Sequence, residues 1–231
     1  MATETGPAVC FSAEADFASG AVIGVIGVAT LTKVARPREI PLAVLPLAFA
    51  LHQVVEGFVW RDLDGGNPRA TGAAVTLYVV FAWVLFPVLV PMSIMLLEPP
   101  GRVRRRIEAL VVAGAVAAAV LAAYVVNGSV SARAVEHTIQ YGGAGRWAWA
   151  ATVLYVIATC GAPLLSGFRA IVWFGVANVV AVAAIVFVQA EGLTSVWCLW
   201  AAVVSVLIYV QFTSWRRDDA RAGPRVVAAT R

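Results

Sequence analysis

Charge is what this sequence lacks most. Only 13% of its 231 residues are Asp, Glu, Lys or Arg, against about 25% in a soluble domain. Most of the chain therefore has no aqueous face to decorate. Cysteine is scarce and unpatterned. Cys10, Cys160 and Cys198 are an odd number in separate segments, with neither CxxC nor zinc-finger spacing, which excludes a disulfide framework. No GxSxG, Walker A or HExxH sequence is present, which removes the readings those motifs carry. The last apolar segment contains no lysine, so a retinal Schiff base is excluded, and a rhodopsin with it. Asp62-x-Asp64 and Asp218-Asp219 form neither a DDxxD nor a DxDD box and read as solvated charge.

What the sequence has is apolar length. Hydrophobic residues make up 61% of it, in runs long enough to cross a bilayer, which takes about 20 residues. Seven spans are expected, at roughly 14–34, 40–60, 70–97, 107–127, 146–167, 168–190 and 194–215. The fold class is all-α, one integral membrane bundle of seven transmembrane helices in a single domain, followed by a basic tail over 216–231. Pro87 and Pro91 predict a kink in the third span. The turn at Ser166-Gly167-Phe168-Arg169 between the fifth and sixth is tight. The segment Met1 to Asp16 carries Glu4, Glu14 and Asp16 but no basic residue. It does not read as a cleaved signal peptide, which opens with positive charge.

Basic residues predict the orientation. The connections after spans 1, 3 and 5, with the tail, hold 13 of the 17 Lys and Arg residues, and the opposite set holds Arg61, Arg69, Arg133 and Arg146. Basic loops stay cytoplasmic, so the expectation is N-terminus outside, C-terminus inside, in the cytoplasmic (inner) membrane. The alternation requires an odd number of spans. The net charge of +4 is spread between apolar runs, not gathered in a patch, so nucleic-acid binding is not expected. The lipid bilayer is the expected partner.

Ionisable groups are expensive in a bilayer core and mark function. Between the span ends stand His52 and Glu56, at i and i+4 on one face of the second helix. Phe49, Gln53 and Trp60 lie on or beside that face. At ~1.5 Å per residue, Glu56 lies roughly 6 Å and His52 roughly 12 Å below Trp60, in the outer half of the membrane. Burial disfavours the charged form of each, and a protonated carboxylic acid is a proton donor. A plain helix–helix hydrogen bond would use the same residues. Aromatic residues inside the spans, Tyr78, Phe81, Trp83, Tyr155, Trp173, Trp197 and Trp200, could line a pocket around Glu56. Thr152, Tyr155 and Thr159 form a second polar stripe. The connection Asn127 to Gly145 is polar and long enough to fold over the bundle mouth. Cys10, His52, Glu56 and His137 could converge there as a zinc or copper site.

Two resemblances follow from these residues. Cys10-Phe11-Ser12-Ala13, then Arg36-Pro37-Arg38-Glu39 and the His52-Gln53-x-x-Glu56-Gly57-x-x-Trp60 run, resemble a family of small bacterial multi-pass membrane proteins of unknown function. That family implies no activity. More loosely, the size, the span count and an acid on an early helix resemble seven-helix integral membrane terpene cyclases. The fungal type carries a late aspartate; here Glu191 is the nearest counterpart, before the last span and not inside it.

The second resemblance implies an isoprenoid-processing isomerase or lyase without a cofactor. A prenylated, lipophilic small molecule would be protonated by Glu56, with His52 orienting or re-protonating it. Cations on that substrate would rest on aromatic faces. Phe49, Gln53, Trp60 and the seven intramembrane aromatics would bind it. Two other readings stand beside this one: a metal-dependent membrane hydrolase with an outward-facing site, and a seven-helix receptor or sensor with a His52–Glu56 proton switch.

Overall fold

A backbone in hydrocarbon must satisfy its own polar groups, and a helix does so within one segment. The computed structural model describes residues 12–66, 68–128, 130–135, 138–142, 147–188 and 193–222. Among them the chain forms seven helices: α1 Ala13–Leu31, α2 Ile40–Asp64, α3 Ala73–Leu97, α4 Arg102–Val126, α5 Ala148–Leu164, α6 Arg169–Val188 and α7 Leu193–Ala222. α1, α2 with the 3-10 turn before it, α3 and α4 are long and apolar enough to cross a membrane. α4 starts at Arg102 and α7 continues to Ala222, beyond their apolar runs. Charged residues are good helix formers, so the backbone does not stop coiling where hydrophobicity stops.

Consecutive helices pack side by side, and α7 returns against both α1 and α2, which closes the bundle. Its interior is largely apolar, as in a soluble protein, but so is its exterior. Val22, Val25 and Val28 of α1, Val112 and Val116 of α4, and Val203, Val206 and Val210 of α7 face outward. His52, Gln53, Glu56, Asn178 and Gln211 face inward. A continuous apolar exterior is costly in water and matches lipid.

Small residues set two close approaches. On α1, a Cβ at Gly20 would come within 2.9 Å of the Val54 side chain, and one at Gly27 within 2.7 Å of Leu47. α1 and α2 therefore lie backbone to backbone. The second approach grows out of α3. Pro91 has no N–H for the carbonyl of Pro87, and that carbonyl faces Gly114 of α4, where a Cβ would overlap it. One turn earlier, Pro87 leaves the Trp83 carbonyl without its α-helical donor. A π turn, Val80–Leu85, occupies that stretch, a common way for a helix to absorb such a fault.

The connection between α4 and α5 adds an element absent from the all-helical expectation. Strands β1 Ser131–Val135 and β2 Thr138–Gly142 pair antiparallel, with Ala132 opposite Tyr141. Ala132 also exchanges backbone hydrogen bonds with Ala70 in the α2–α3 connection, at 2.9 and 2.8 Å. The hairpin is thereby tied over one end of the bundle, where its Ala132, Ile139 and Tyr141 pack with Val59, Leu63 and Val75.

The opposite end is held by two buried glutamates. Glu39 accepts from the Ala35 and Arg36 amides at 2.8 and 3.3 Å and from Arg216 of α7 at 2.9 Å. Glu98 accepts from the Ser166 hydroxyl at 2.7 Å and the Gly167 amide at 2.9 Å. That second contact explains how the tight turn between α5 and α6 is fixed: its polar groups share one carboxylate.

Candidate functional site

The site at the hairpin end starts on α2. Phe49, His52, Gln53, Glu56 and Trp60 recur at helical spacing, and all are buried. Glu56 is 4% exposed. Its carboxyl is in hydrogen-bonding contact with the Tyr78 hydroxyl of α3. Among the described residues Glu56 Oε2 is buried without a hydrogen-bond partner. The Tyr78 ring stacks on His52 at 4.1 Å between centroids, and on Tyr141 of β2 at 4.1 Å with the planes 9° apart. The imidazole also meets Phe86 edge-on at 5.4 Å. His52, Tyr78 and Tyr141 thus form a column of rings from the bundle interior to the hairpin.

α1 supplies a second carboxyl. Asp16 is 2% exposed, and its charge acts on Glu56. The expectation that His52 and Glu56 are the only ionisable side chains between the span ends is therefore corrected. Asp16 sits in the first turn of α1, below its Ser12 cap, which accepts from the Ala15 amide. The close α1–α2 packing at Gly20 brings it inward. Ser19 donates to the Asp16 carbonyl at 3.1 Å and lies 3.5 Å from Gln53 Oε1. Outside the spans, Tyr141 feels the same cluster. Burial pushes its phenol well above the ordinary tyrosine range, and the Glu56 and Asp16 charges add to the effect.

Beside the column, across Phe86, lies a mostly apolar cavity of about 40 Å³. Phe49, Tyr155, Cys160, Phe174 and Trp200 are among its walls. Phe49 meets Phe86 at 5.1 Å and Trp200 at 5.2 Å. One polar strut crosses it: Trp200 donates from its indole to Asn178 Oδ1 at 3.0 Å, and Asn178 donates to the Thr159 carbonyl at 2.8 Å.

The structure therefore gathers His52, Glu56, Tyr78 and Phe81 at one column, places Phe49, Tyr155 and Trp200 around the adjoining cavity, and buries Gln53 and Trp60 on the same helix as His52 and Glu56. It does not gather the rest. Trp173 faces outward with 54% of its surface exposed. Trp83 is half-buried in the π turn, away from the cavity walls. Thr152 is exposed, so the Thr152-Tyr155-Thr159 stripe divides, with its inner two members on the cavity. Cys10 and His137 lie outside the described residues, as does the side chain of Trp197. Among the described residues no three His, Cys, Asp or Glu side chains are placed to hold a metal ion. Asp16, Tyr141, Phe86, Phe174 and Asn178 enter the site without having been singled out from the sequence. Asp16 stands at the edge of an apolar run, where a carboxylate ordinarily meets water, so the sequence did not mark it.

The chain belongs to a family of unknown function, DUF6629, whose model matches residues 9–224. No curated protein and no solved structure matches the chain.

Proposed function

We propose that this chain is a seven-span membrane enzyme, N-terminus outside, that cyclises a lipophilic prenylated substrate after proton transfer from Glu56. The observation that carries the reading is the Glu56 carboxyl itself. It is buried in hydrogen-bonding contact with Tyr78, within reach of the Asp16 charge, and its Oε2 has no hydrogen-bond partner among the described residues. A carboxyl shut away from water beside a second carboxyl is the group in this site suited to act as a general acid.

The chemistry balances without a cofactor. The Glu56 O–H bond breaks as its proton forms a C–H bond with an alkene carbon of the substrate, whose π bond breaks to leave a tertiary carbocation. An internal alkene supplies its electron pair to close a ring and carries the cation onward. Loss of a neighbouring proton to the Glu56 carboxylate ends the sequence and restores the acid. The faces of Tyr155, Trp200 and Phe49 suit the cation once Phe86, which stands between them and Glu56, and the walls of the small cavity yield to the substrate, and the surrounding side chains exclude water that would quench it. His52, stacked on Tyr78, holds the phenol against the carboxyl. In this role it positions the acid.

The test is product formation from prenylated substrates in vesicles containing the full chain. Glu56→Gln is expected to insert normally and yield no cyclised product. Wild-type product levels from that variant would sink the assignment.

A second reading is favoured by the ring column. Tyr141 connects the carboxyl cluster to the hairpin, so a proton gained or lost at Glu56 would be felt at the surface. That is the arrangement of a sensor. It predicts a pH-dependent change at the hairpin without substrate, abolished in Glu56→Gln, with no cyclised product from the wild type.

A further inference from the structure

The end of the bundle away from the hairpin holds a second cavity, larger and of different chemistry. Its volume is about 230 Å³, against ~30 Å³ for a water molecule in the liquid. It lies where the α1–α2 connection, the start of α6 and the end of α7 meet. Three guanidinium groups line it, those of Arg36, Arg38 and Arg216, with the rings of Phe168 and Trp215 as the apolar wall. Two carboxylates also line it. Glu39 is already occupied with two backbone amides and Arg216, and Asp218 stands exposed at the rim. The rings are fixed: Phe168 meets Trp215 edge-on at 5.1 Å, and Trp215 meets Phe212 at 5.2 Å.

We propose that this cavity binds a phosphate group, and that a lipid headgroup brings it there. Arginine pairs with phosphate through parallel charge-assisted hydrogen bonds. The Arg216–Glu39 ion pair and the buried Glu39 anchor hold one guanidinium in place before any ligand arrives. Arg36 is half-buried and Arg38 exposed, so the two present donors at different depths of one opening. The site lies at the ends of apolar helices with a tryptophan in its wall, the level at which headgroups sit. A lipid's acyl chains could follow the apolar exterior while its phosphate entered between the arginines. This role is independent of Glu56 and of any reaction at the hairpin end.

The experiment uses the full chain in neutral detergent. It is titrated by calorimetry with short-chain phosphatidic acid, with diacylglycerol of the same chain length, and with inorganic phosphate. Saturable binding of phosphatidic acid and none of diacylglycerol is expected. Arg36→Gln with Arg38→Gln should weaken it about tenfold or more, the scale of one or two lost charge-assisted hydrogen bonds. Arg105→Gln with Arg106→Gln, exposed charges outside this cavity, should change it by less than about twofold. If the double variant fails to fold, Arg38→Gln alone carries the test, since Arg38 is exposed. Binding of inorganic phosphate as tight as that of phosphatidic acid would keep the phosphate site and make its source soluble. Equal losses in both arginine pairs, or no preference for phosphatidic acid over diacylglycerol, would overturn the proposal and leave only diffuse attraction.

Discussion

Asp16 on α1 and Glu56 on α2 place two carboxyl groups in one buried site, 2% and 4% exposed, near enough for the charge of one to act on the other. Their helices meet through glycine: Gly20 lies against Val54 and the Ala50 carbonyl. With a side chain there the helices would stand apart, and Asp16 with them. The site is therefore a product of helix packing as much as of the His52–Glu56 face.

Coupling between the two carboxyls should be measurable in stability. Asp16→Asn and Glu56→Gln, singly and together, form a double-mutant cycle by thermal or denaturant unfolding in detergent. Groups in contact give interaction energies of about 0.5–3 kcal/mol, and a value in that range is expected. Additive effects would mean the two groups do not share a site.

Tyr141 gives the hairpin a pH dependence. Its folded phenol stays neutral well above the ordinary range, whereas in the undocked hairpin it ionises near pH ~10. The unfolded form thus releases its proton first. The phenol's contribution to docking is complete below pH ~10 and is lost as pH rises beyond it. The wild-type melting temperature should fall more steeply above pH ~10 than that of Tyr141→Phe. Parallel curves would contradict the burial of this hydroxyl.

Gly114→Ala tests the close approach of α3 and α4. The new methyl would overlap the Pro87 carbonyl oxygen, a backbone atom that cannot rotate away. A loss of about 1–3 kcal/mol is expected in unfolding measurements, the usual cost of overpacking. Gly161→Ala meets only the end of the Leu110 side chain, at 3.1 Å, and should cost clearly less.

The Glu39–Arg216 pair should be asymmetric. Glu39→Ala removes the acceptor of three hydrogen bonds and leaves Arg216 unpaired from it, for a loss of about 3 kcal/mol. Arg216→Ala leaves the carboxylate its two amide donors and a partly exposed position to the solvent, for roughly 1 kcal/mol. Unfolding of the two variants in detergent checks the order. Equal losses would show that the amides contribute little.

The helices and the His52–Glu56 face were legible because a bilayer imposes long apolar runs, in which a histidine and a glutamate stand out. Asp16 was not, since a carboxylate at the edge of a run ordinarily marks water, and only the packing at Gly20 buries it. The hairpin escaped notice because its strands are short, and Ala132 and Ala134 give little alternation to read. Tyr141 acquires its role from a register, opposite Ala132, that no spacing announces. The aromatics show the same limit. Trp173 and Trp200 look alike in sequence, yet one faces outward and the other donates to Asn178 inside the bundle. In an apolar helix, hydrophobicity does not distinguish the lipid side from the core side. Glu39 and Glu98 lie between apolar runs, where sequence alone places a charge in water, yet their amide partners hold them buried.

The most direct test of Glu56 as the acid is cyclisation in heavy water. Wild-type protein in vesicles, equilibrated in heavy water, should deliver a single deuterium to the protonated carbon in its first turnover, since later turnovers reuse the proton that the substrate returns to Glu56. Glu56→Gln, inserted and folded, should give neither product nor label. Labelled product from Glu56→Gln, or unlabelled product from the first turnover of the wild type, would contradict the account.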